Sequence, residues 1–134
     1  MSIFIETLKG NKTKTPIWLM RQAGRHLPEY INIRQRHTDL MEMFLNPDVI
    51  AEISLQPVKR YGLDACIVFS DILMIPYASG CDVSFREGIG PQVKFNEKFN
   101  FKSHKLDPVT KGIENIKKIS NTPLIGFAGG PWTT

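Results

Sequence analysis

A full set of helix start and stop signals, followed at once by an apolar run, constrains the fold of this chain most strongly. Asn46 has a capping side chain, Pro47 suits the first helical position, and Gly62 suits the left-handed residue that ends a helix. These signals predict a helix over 47–61. The apolar run 63–69 then predicts a short strand buried on both faces, as in a parallel sheet.

A second helix–strand unit follows near the end of the sequence. Asp107 and Pro108 repeat the cap-plus-proline start. Apolar residues then recur at helical spacing, at Val109, Ile113, Ile116 and Ile119. The run 124–128 follows a turn and predicts a second buried strand. Alternating helices and strands indicate an α/β fold with a parallel sheet.

The segments outside these two units predict smaller elements. Residues 80–102 hold alternating pieces separated by glycines, which predict a hairpin. Residues 1–15 predict a short helix followed by a loose N-terminal arm, and residues 28–45 predict two short helical pieces.

Composition places the chain among ordinary globular proteins. It has 134 residues, of which 42% are hydrophobic and 22% charged, and a net charge of +4 at pH 7. Such a length suffices for one small domain. Lysine and arginine are dispersed rather than clustered in runs, so we expect no nucleic-acid partner. No apolar stretch is long enough for a membrane span, and the N-terminus does not resemble a signal peptide, so we expect no membrane association.

The cysteines and histidines do not indicate a disulfide framework or a metal site. Cys66 lies in an apolar run and has the character of a buried small hydrophobe, and Cys81 is far from it in sequence. No histidine has metal-ligand spacing with either cysteine. We therefore expect no bound metal and a reduced, cytoplasmic setting.

An arginine cluster indicates a ligand with several negative groups. Arg21 and Arg25 are four positions apart, Gly24 lies beside the second, and Arg34 follows. Each guanidinium matches a carboxylate or phosphate bidentately and stays charged near pH 7. In a helix the first two would share a face, whereas in a loop they could spread around one anion. A solvated surface pair is the alternative that the spacing alone leaves open.

Asp71 is the candidate catalytic group, because it follows the first predicted strand directly. In α/β barrels, catalytic groups lie at the C-terminal ends of strands. The alternative is a cap for the element that follows, a common role of aspartate. The glycine-rich run 126–130 lacks the lysine and hydroxyl residue of a phosphate-binding loop, so we expect it to form a tight turn.

Four segments occur in the order and at the spacing of one known family. They are MRQAGR at 20–25 with LPEY at 27–30, LQP at 55–57 with Lys59 and Arg60, FSDIL at 69–73, and GFAGGPWT at 126–133. From about Pro16 to its last residue the chain resembles uroporphyrinogen decarboxylases. The resemblance implies the N-terminal portion of a (β/α)8 TIM barrel, a fold of typically about 250 residues. Residues 1–134 would then be a partial domain truncated after its second strand, with the first barrel units at about 46–134.

The resemblance also implies a site and a reaction. The substrate would be uroporphyrinogen, a polycarboxylate tetrapyrrole that loses carbon dioxide from its four acetate side chains to give coproporphyrinogen in haem synthesis. Asp71 would hydrogen-bond the pyrrole N–H groups, and no metal or organic cofactor is implied, because the substrate ring accepts the electrons. The substrate-binding residues would be Arg21, Gln22, Ala23, Gly24, Arg25, Arg34 and Asp71.

The family uses further site groups, a tyrosine, a serine or threonine, and a histidine, beyond the point that matches Thr134. The isolated chain is therefore expected to be inactive. The full-length family forms homodimers largely through later segments, so a homodimer is implied for the full-length protein rather than for this piece. Two alternatives stay open: a corrinoid-linked methyltransferase of the same superfamily, and a non-catalytic porphyrin-binding fragment.

Overall fold

The computed structural model describes residues 2–11, 14–86, 88–96 and 98–130. This part of the chain forms six helices and four strands, with one short 3-10 helix at Ser103–Leu106. The helices are α1 (Ile3–Leu8), α2 (Pro28–Arg36), α3 (Leu40–Phe44), α4 (Pro47–Tyr61), α5 (Met74–Ala78) and α6 (Asp107–Ile119). The strands are β1 (Cys66–Ile67), β2 (Asp82–Arg86), β3 (Gly90–Lys94) and β4 (Leu124–Ile125).

Helix α4 begins and ends where its local signals predict. The side-chain oxygen of Asn46 accepts hydrogen bonds from the N–H groups of Asp48 and Val49, at 3.1 and 3.2 Å. Pro47 is the first helical residue, and Gly62 closes the helix with φ 63° and ψ 38°. Glycine adopts this left-handed conformation without the steric cost of a Cβ atom.

The predicted parallel sheet is confirmed for the described residues. Strands β1 and β4 pair in parallel, with Cys66 opposite Leu124 and Ile67 opposite Ile125, and α6 lies between them in sequence. The ladder is shorter than the two apolar runs. Near the start of the first run, the Asp64 N–H donates to the Ile17 carbonyl at 2.9 Å and therefore does not take part in the β1–β4 pairing.

Helices α4 and α6 pack together over one face of this strand pair. Their shared core consists of Ile50, Ala51, Leu55, Cys66, Val68 and Ile116. Gly112 lies at a tight contact between them: a Cβ atom there would lie 2.7 Å from Cγ2 and 2.9 Å from Cβ of Ile50. The absence of a side chain at 112 therefore sets how closely the two helices pack.

We expect Gly112→Ala to lower the free energy of unfolding by about 1–2 kcal/mol, because overpacking a tight contact typically costs about 1–3 kcal/mol. Alanine gains about 1 kcal/mol of helix propensity over glycine, but the Cβ of Ile50 cannot rotate away. Thermal or denaturant unfolding measures the change. Lys118→Ala, at an exposed position of α6, is the matched control and should stay within about 0.5 kcal/mol of the unmodified protein. A gain in stability from Gly112→Ala would contradict this packing.

The smaller predicted elements also occur. The predicted hairpin is β2 paired with β3 in antiparallel register, with Val83 opposite Val93. The predicted helical pieces over 28–45 are α2 and α3, and the N-terminal helix is α1.

Two details of the second helix–strand unit differ from the sequence prediction. Asp107 is not a cap: it is the first helical residue, with φ −53° and ψ −39°, because the 3-10 helix runs directly into α6. Its carboxylate still lies at the positive end of the helix. Ile119, the last residue of the predicted apolar stripe, is 65% exposed.

No helix in the described ranges is both long enough and apolar enough to cross a membrane.

Candidate active site

The arginine segment is a loop. Residues 20–27 lie before α2 and form bends and turns rather than a helix, so Arg21 and Arg25 do not share a helical face. Both side chains are exposed. Within the part of the chain that the structure describes, neither guanidinium has a hydrogen bond or an ion pair. Their ten N–H donors in all, five for each guanidinium, are thus available to an anion.

Hydrogen bonds at two points fasten residues 17–22 to residues 64–67, which include β1. Ile17 and Asp64 exchange two of them: the Ile17 N–H donates to Oδ2 of Asp64 at 2.8 Å, and the Asp64 N–H donates to the Ile17 carbonyl at 2.9 Å. Further along, the side-chain amide of Gln22 donates from Nε2 to the Ala65 carbonyl at 2.9 Å and accepts at Oε1 from the Ile67 N–H at 3.1 Å. The Gln22 amide thus acts toward β1 as the peptide group of a neighbouring strand would.

This attachment is to the edge of β1 opposite β4. The Cys66 N–H donates to the carbonyl of Pro123, just before β4, at 2.8 Å, and the Val68 N–H donates to the carbonyl of Ile125 in β4 at 3.1 Å. Because alternate peptide groups of a parallel strand point to opposite sides, the Ile67 N–H points away from β4. The Gln22 side chain therefore pairs peptide groups at a strand edge where they would otherwise be unpaired.

Gln22 is 5% exposed, and the contact that the structure gives its side chain is to β1. The substrate contact implied for Gln22 by the resemblance stays a prediction. Its visible effect is to hold Arg21 and Ala23, its neighbours, against the sheet. Ala23 packs on the cluster that includes Leu27 and Tyr30.

Gly24 has open space around it. A Cβ atom at this position would meet only Nδ1 of His26, at 3.7 Å, and Gly24 is not among the glycines with positive φ. Neither the backbone conformation nor the described neighbours require glycine here. Close approach of a ligand to the backbone is the explanation that remains open for this residue.

Arg34 lies on α2 and is half-buried. Its Nη1 donates to the carbonyl oxygen of His37, just beyond the end of the helix. This bond satisfies a carbonyl that the helix leaves free and places positive charge at the negative end of the helix. The implied approach of Arg34 to a substrate stays a prediction.

Asp71 lies in the turn between β1 and α5, and one of its two carboxylate oxygens accepts a hydrogen bond. Oδ1 accepts from the Leu73 N–H at 2.8 Å, and the Asp71 carbonyl accepts from the Met74 N–H at 3.2 Å. Among the described residues Oδ2 has no hydrogen-bond partner. The residue immediately before α5 is Leu73, so Asp71 stabilises the turn before the helix rather than capping α5 itself. One oxygen is therefore fixed and the other is available.

The chain just before Asp71 is anchored to buried groups. The Phe69 N–H donates to the hydroxyl of Ser54 on α4 at 2.7 Å. The Phe69 ring contacts Tyr30 and Phe44, with ring centroids 6.2 and 5.0 Å apart. Sequence reasoning missed Ser54, because a single serine in an apolar helix carries no pattern of its own.

Cys66 contributes to the same anchoring as a neutral thiol. Its Sγ donates to the Ser54 carbonyl at 3.1 Å. Burial raises the pKa of Cys66 to about 11, which keeps the thiol protonated near neutral pH. Cys66 and Cys81 are both free. No group of three or more His, Cys, Asp or Glu side chains in the described residues is arranged to hold a metal ion.

A further arginine, outside this cluster, is already paired. Arg60, near the end of α4, donates from Nε and Nη2 to the two carboxylate oxygens of Glu29, at 2.8 and 2.9 Å. The hydrogen bond from Arg60 lowers the pKa of Glu29. This pair distinguishes an arginine with a structural partner from Arg21 and Arg25.

The fold defines a class: an α/β protein with a parallel strand pair, whose first strand is followed by Asp71. The family model described as "Uroporphyrinogen decarboxylase (URO-D)" matches residues 1–134, and the chain belongs to the uroporphyrinogen decarboxylase family. The family resemblance of the sequence motifs is thereby confirmed. Of those motifs, residues 131–133 lie outside the described part of the chain.

Similar proteins cover the chain almost completely. One named uroporphyrinogen decarboxylase from Rickettsia massiliae (strain Mtu5) is 47% identical over 142 residues, which is 99% of this chain and 41% of that protein. Another of the same name from Rickettsia felis is 46% identical over the same shares. The chain thus spans about two fifths of the length of the curated relatives it matches.

A solved structure shows the same fold at lower sequence similarity. A methyltransferase from Methanosarcina mazei superposes with a TM-score of 0.69 at 19% identity, over 97% of this chain and 42% of that chain. At this identity the likeness concerns the fold alone.

Proposed function

We propose that the full-length protein to which this chain belongs decarboxylates the four acetate side chains of uroporphyrinogen, giving coproporphyrinogen in haem and tetrapyrrole biosynthesis. The observation that carries this proposal is the family match over all of residues 1–134. The two unpaired arginines support it, because a polycarboxylate substrate needs several such groups.

The chain would supply the N-terminal portion of a (β/α)8 barrel, with the first barrel units at about 46–134. The parallel pair β1–β4, connected through α6, supports this architecture. In such barrels the chemistry takes place at the C-terminal ends of the strands. Asp71 follows the end of β1, which is the place this architecture assigns to a catalytic group.

In this proposal Arg21 and Arg25 bind substrate carboxylates, and Arg34 approaches the substrate from α2. Ala23 and Gly24 let the tetrapyrrole approach the backbone closely, which the open space at Gly24 favours. Gln22 belongs to this site by holding the segment on β1. Paired guanidinium and carboxylate groups would also neutralise the substrate charge.

Asp71 would act electrostatically. A proton added to a pyrrole carbon makes the ring cationic, and a fixed carboxylate stabilises that charge as it develops. The bond to the acetate carboxylate then breaks, its electron pair neutralises the ring, and carbon dioxide leaves. The remaining side-chain carbon then takes up a proton and becomes a methyl group. The pyrrole carbon loses the proton that was added first, which restores the ring. Because Leu73 holds Oδ1, we infer that Oδ2 accepts the pyrrole N–H groups.

The tyrosine, the serine or threonine, and the histidine of the family site would come from sequence beyond residue 134. The full-length protein would act as a homodimer, and the 134-residue chain alone should show no turnover. The cytoplasmic location stays a prediction.

An assay of the full-length protein under reducing, anaerobic conditions tests this function. We expect uroporphyrinogen to be converted stepwise to coproporphyrinogen, with loss of one carboxylate at a time. The intermediates and the product are separated and identified by their number of carboxylates. The 134-residue chain is the matched control and should leave the substrate unchanged. Transfer of a methyl group from a methylated corrinoid to a thiol, with uroporphyrinogen untouched, would instead establish the methyltransferase alternative. Tight tetrapyrrole binding without any product would establish a non-catalytic binding protein.

A further inference from the structure

Ser54 links helix α4 to the point where the chain leaves the sheet. It is 1% exposed. Its hydroxyl donates to the Ile50 carbonyl at 2.6 Å and accepts from the Phe69 N–H at 2.7 Å. The first bond is common for serine inside a helix, whereas the second joins residues 15 positions apart and belongs to the tertiary structure.

The same residue contacts the other end of this segment through its backbone. The Ser54 carbonyl accepts from Sγ of Cys66, at 3.1 Å. Ser54 therefore binds both Cys66, in β1, and Phe69, two residues beyond the strand. The Val68 N–H donates to β4, at 3.1 Å, so Phe69 is the first peptide group after the sheet bonds and takes its partner from α4.

Asp71 follows two residues after Phe69, and among the described residues its hydrogen bonds are all within its own turn. Oδ1 accepts from the Leu73 N–H, a bond within the same turn. A local bond of this kind sets the shape of the turn but not its place relative to the sheet. The Ser54–Phe69 bond is the nearest hydrogen bond before Asp71 that ties this turn to another element among the described residues.

We propose that Ser54 is a positioning residue for Asp71. Through its hydrogen bond to the Phe69 peptide, Ser54 fixes the position of the catalytic carboxylate relative to the end of β1. This inference rests on the proposed decarboxylase function. A small displacement of a catalytic group can cost up to about 10²-fold in rate, because electrostatic stabilisation depends on placement. Ser54 would therefore affect turnover without contacting the substrate.

The test uses the full-length enzyme. We expect Ser54→Ala to lower kcat by about ten-fold or more, with KM changed less than about two-fold, since substrate binding depends mainly on the arginine segment. Ser79→Ala is the matched control. Ser79 is also buried, and its hydroxyl makes the same bond to the carbonyl four residues back, that of Ile75 at 2.9 Å. Among the described residues its hydroxyl accepts no bond from another element, so turnover should be unchanged.

A double-mutant cycle separates positioning from general stability. With Asp71→Asn already present, adding Ser54→Ala should lower kcat by less than about two-fold, because the group that Ser54 positions has lost its charge. An equal fall in both backgrounds would overturn the inference, as would a change in Tm with kcat unaffected. If Ser54→Ala does not fold, Ser54→Cys, which keeps a weak donor and acceptor, replaces it in the cycle.

The two possible failures are distinguishable. If Asp71→Asn retains normal turnover, the catalytic role in the proposed function fails. If Asp71→Asn is strongly impaired while Ser54→Ala turns over normally, only the positioning role of Ser54 fails.

Discussion

Asp71→Asn should lower the turnover of the full-length enzyme by about 10²-fold or more, the scale of removing an oxyanion-hole group. Asparagine keeps the shape and one acceptor oxygen but loses the charge. The ring becomes cationic only as reaction proceeds, so the lost interaction belongs to the transition state rather than to the bound substrate. Substrate binding should change less than kcat, and steady-state kinetics with uroporphyrinogen measures both.

The Asp71 turn provides an internal control for this variant. The oxygen of an asparagine can still accept from the Leu73 N–H, which Oδ1 of Asp71 does at 2.8 Å. Asparagine and aspartate stabilise such turns about equally. The melting temperature of Asp71→Asn should therefore stay near that of the unmodified enzyme. Near-normal turnover at an unchanged melting temperature would show that Asp71 only stabilises the turn.

Arg25→Ala should weaken uroporphyrinogen binding by about 1.5–3 kcal/mol, the range of hydrogen bonds to charged groups. That range corresponds to a Kd raised roughly ten-fold to a hundred-fold. Arg25 has no partner among the described residues, so its removal should cost binding rather than stability. Arg25→Lys should recover only part of the affinity, because lysine lacks the planar fork.

Arg60→Ala is the matched control for Arg25→Ala. Arg60 also has an exposed side chain, but its guanidinium makes two hydrogen bonds to Glu29. Its removal should leave Kd unchanged and affect stability only slightly, as for most surface ion pairs. Titration of both variants with the tetrapyrrole makes the comparison. Equal affinities in Arg25→Ala and the unmodified enzyme would remove Arg25 from the site.

The elements that the sequence predicts correctly are those with local determinants. Helix α4 has its cap, first-turn proline and terminal glycine within the segment itself, and each of them acts over a few residues. The parallel pairing of β1 and β4 follows from two buried-type runs separated by a helix. The hairpin of β2 and β3 follows from alternation and glycine.

Details set by tertiary contacts were not predictable. Asp107 has the sequence of a cap, yet the 3-10 helix before it is held from α5: the Lys102 N–H donates to the Ala78 carbonyl at 2.8 Å, and the Lys105 side chain to the Tyr77 carbonyl at 3.2 Å. Because these contacts hold the 3-10 helix against α5, the chain is already helical when it reaches Asp107.

The candidate site divides in the same way. Arg21, Arg25 and Asp71 can be chosen from residue type and local position. The bonds that support them cannot, because Gln22 reaches residues 43 and 45 positions away and Ser54 reaches one 15 positions away. No local pattern encodes contacts of such separation, and both side chains look ordinary in the sequence.

A crystal structure of the full-length protein with coproporphyrinogen bound tests most directly whether Asp71 and the arginine segment form one tetrapyrrole site. We expect Oδ2 of Asp71 to lie about 2.7–3.2 Å from pyrrole nitrogens, within hydrogen-bond distance. We also expect side-chain carboxylates of the ligand to contact Arg21 and Arg25. A tetrapyrrole bound away from the end of β1, with Oδ2 and both guanidinium groups in solvent, would contradict this site.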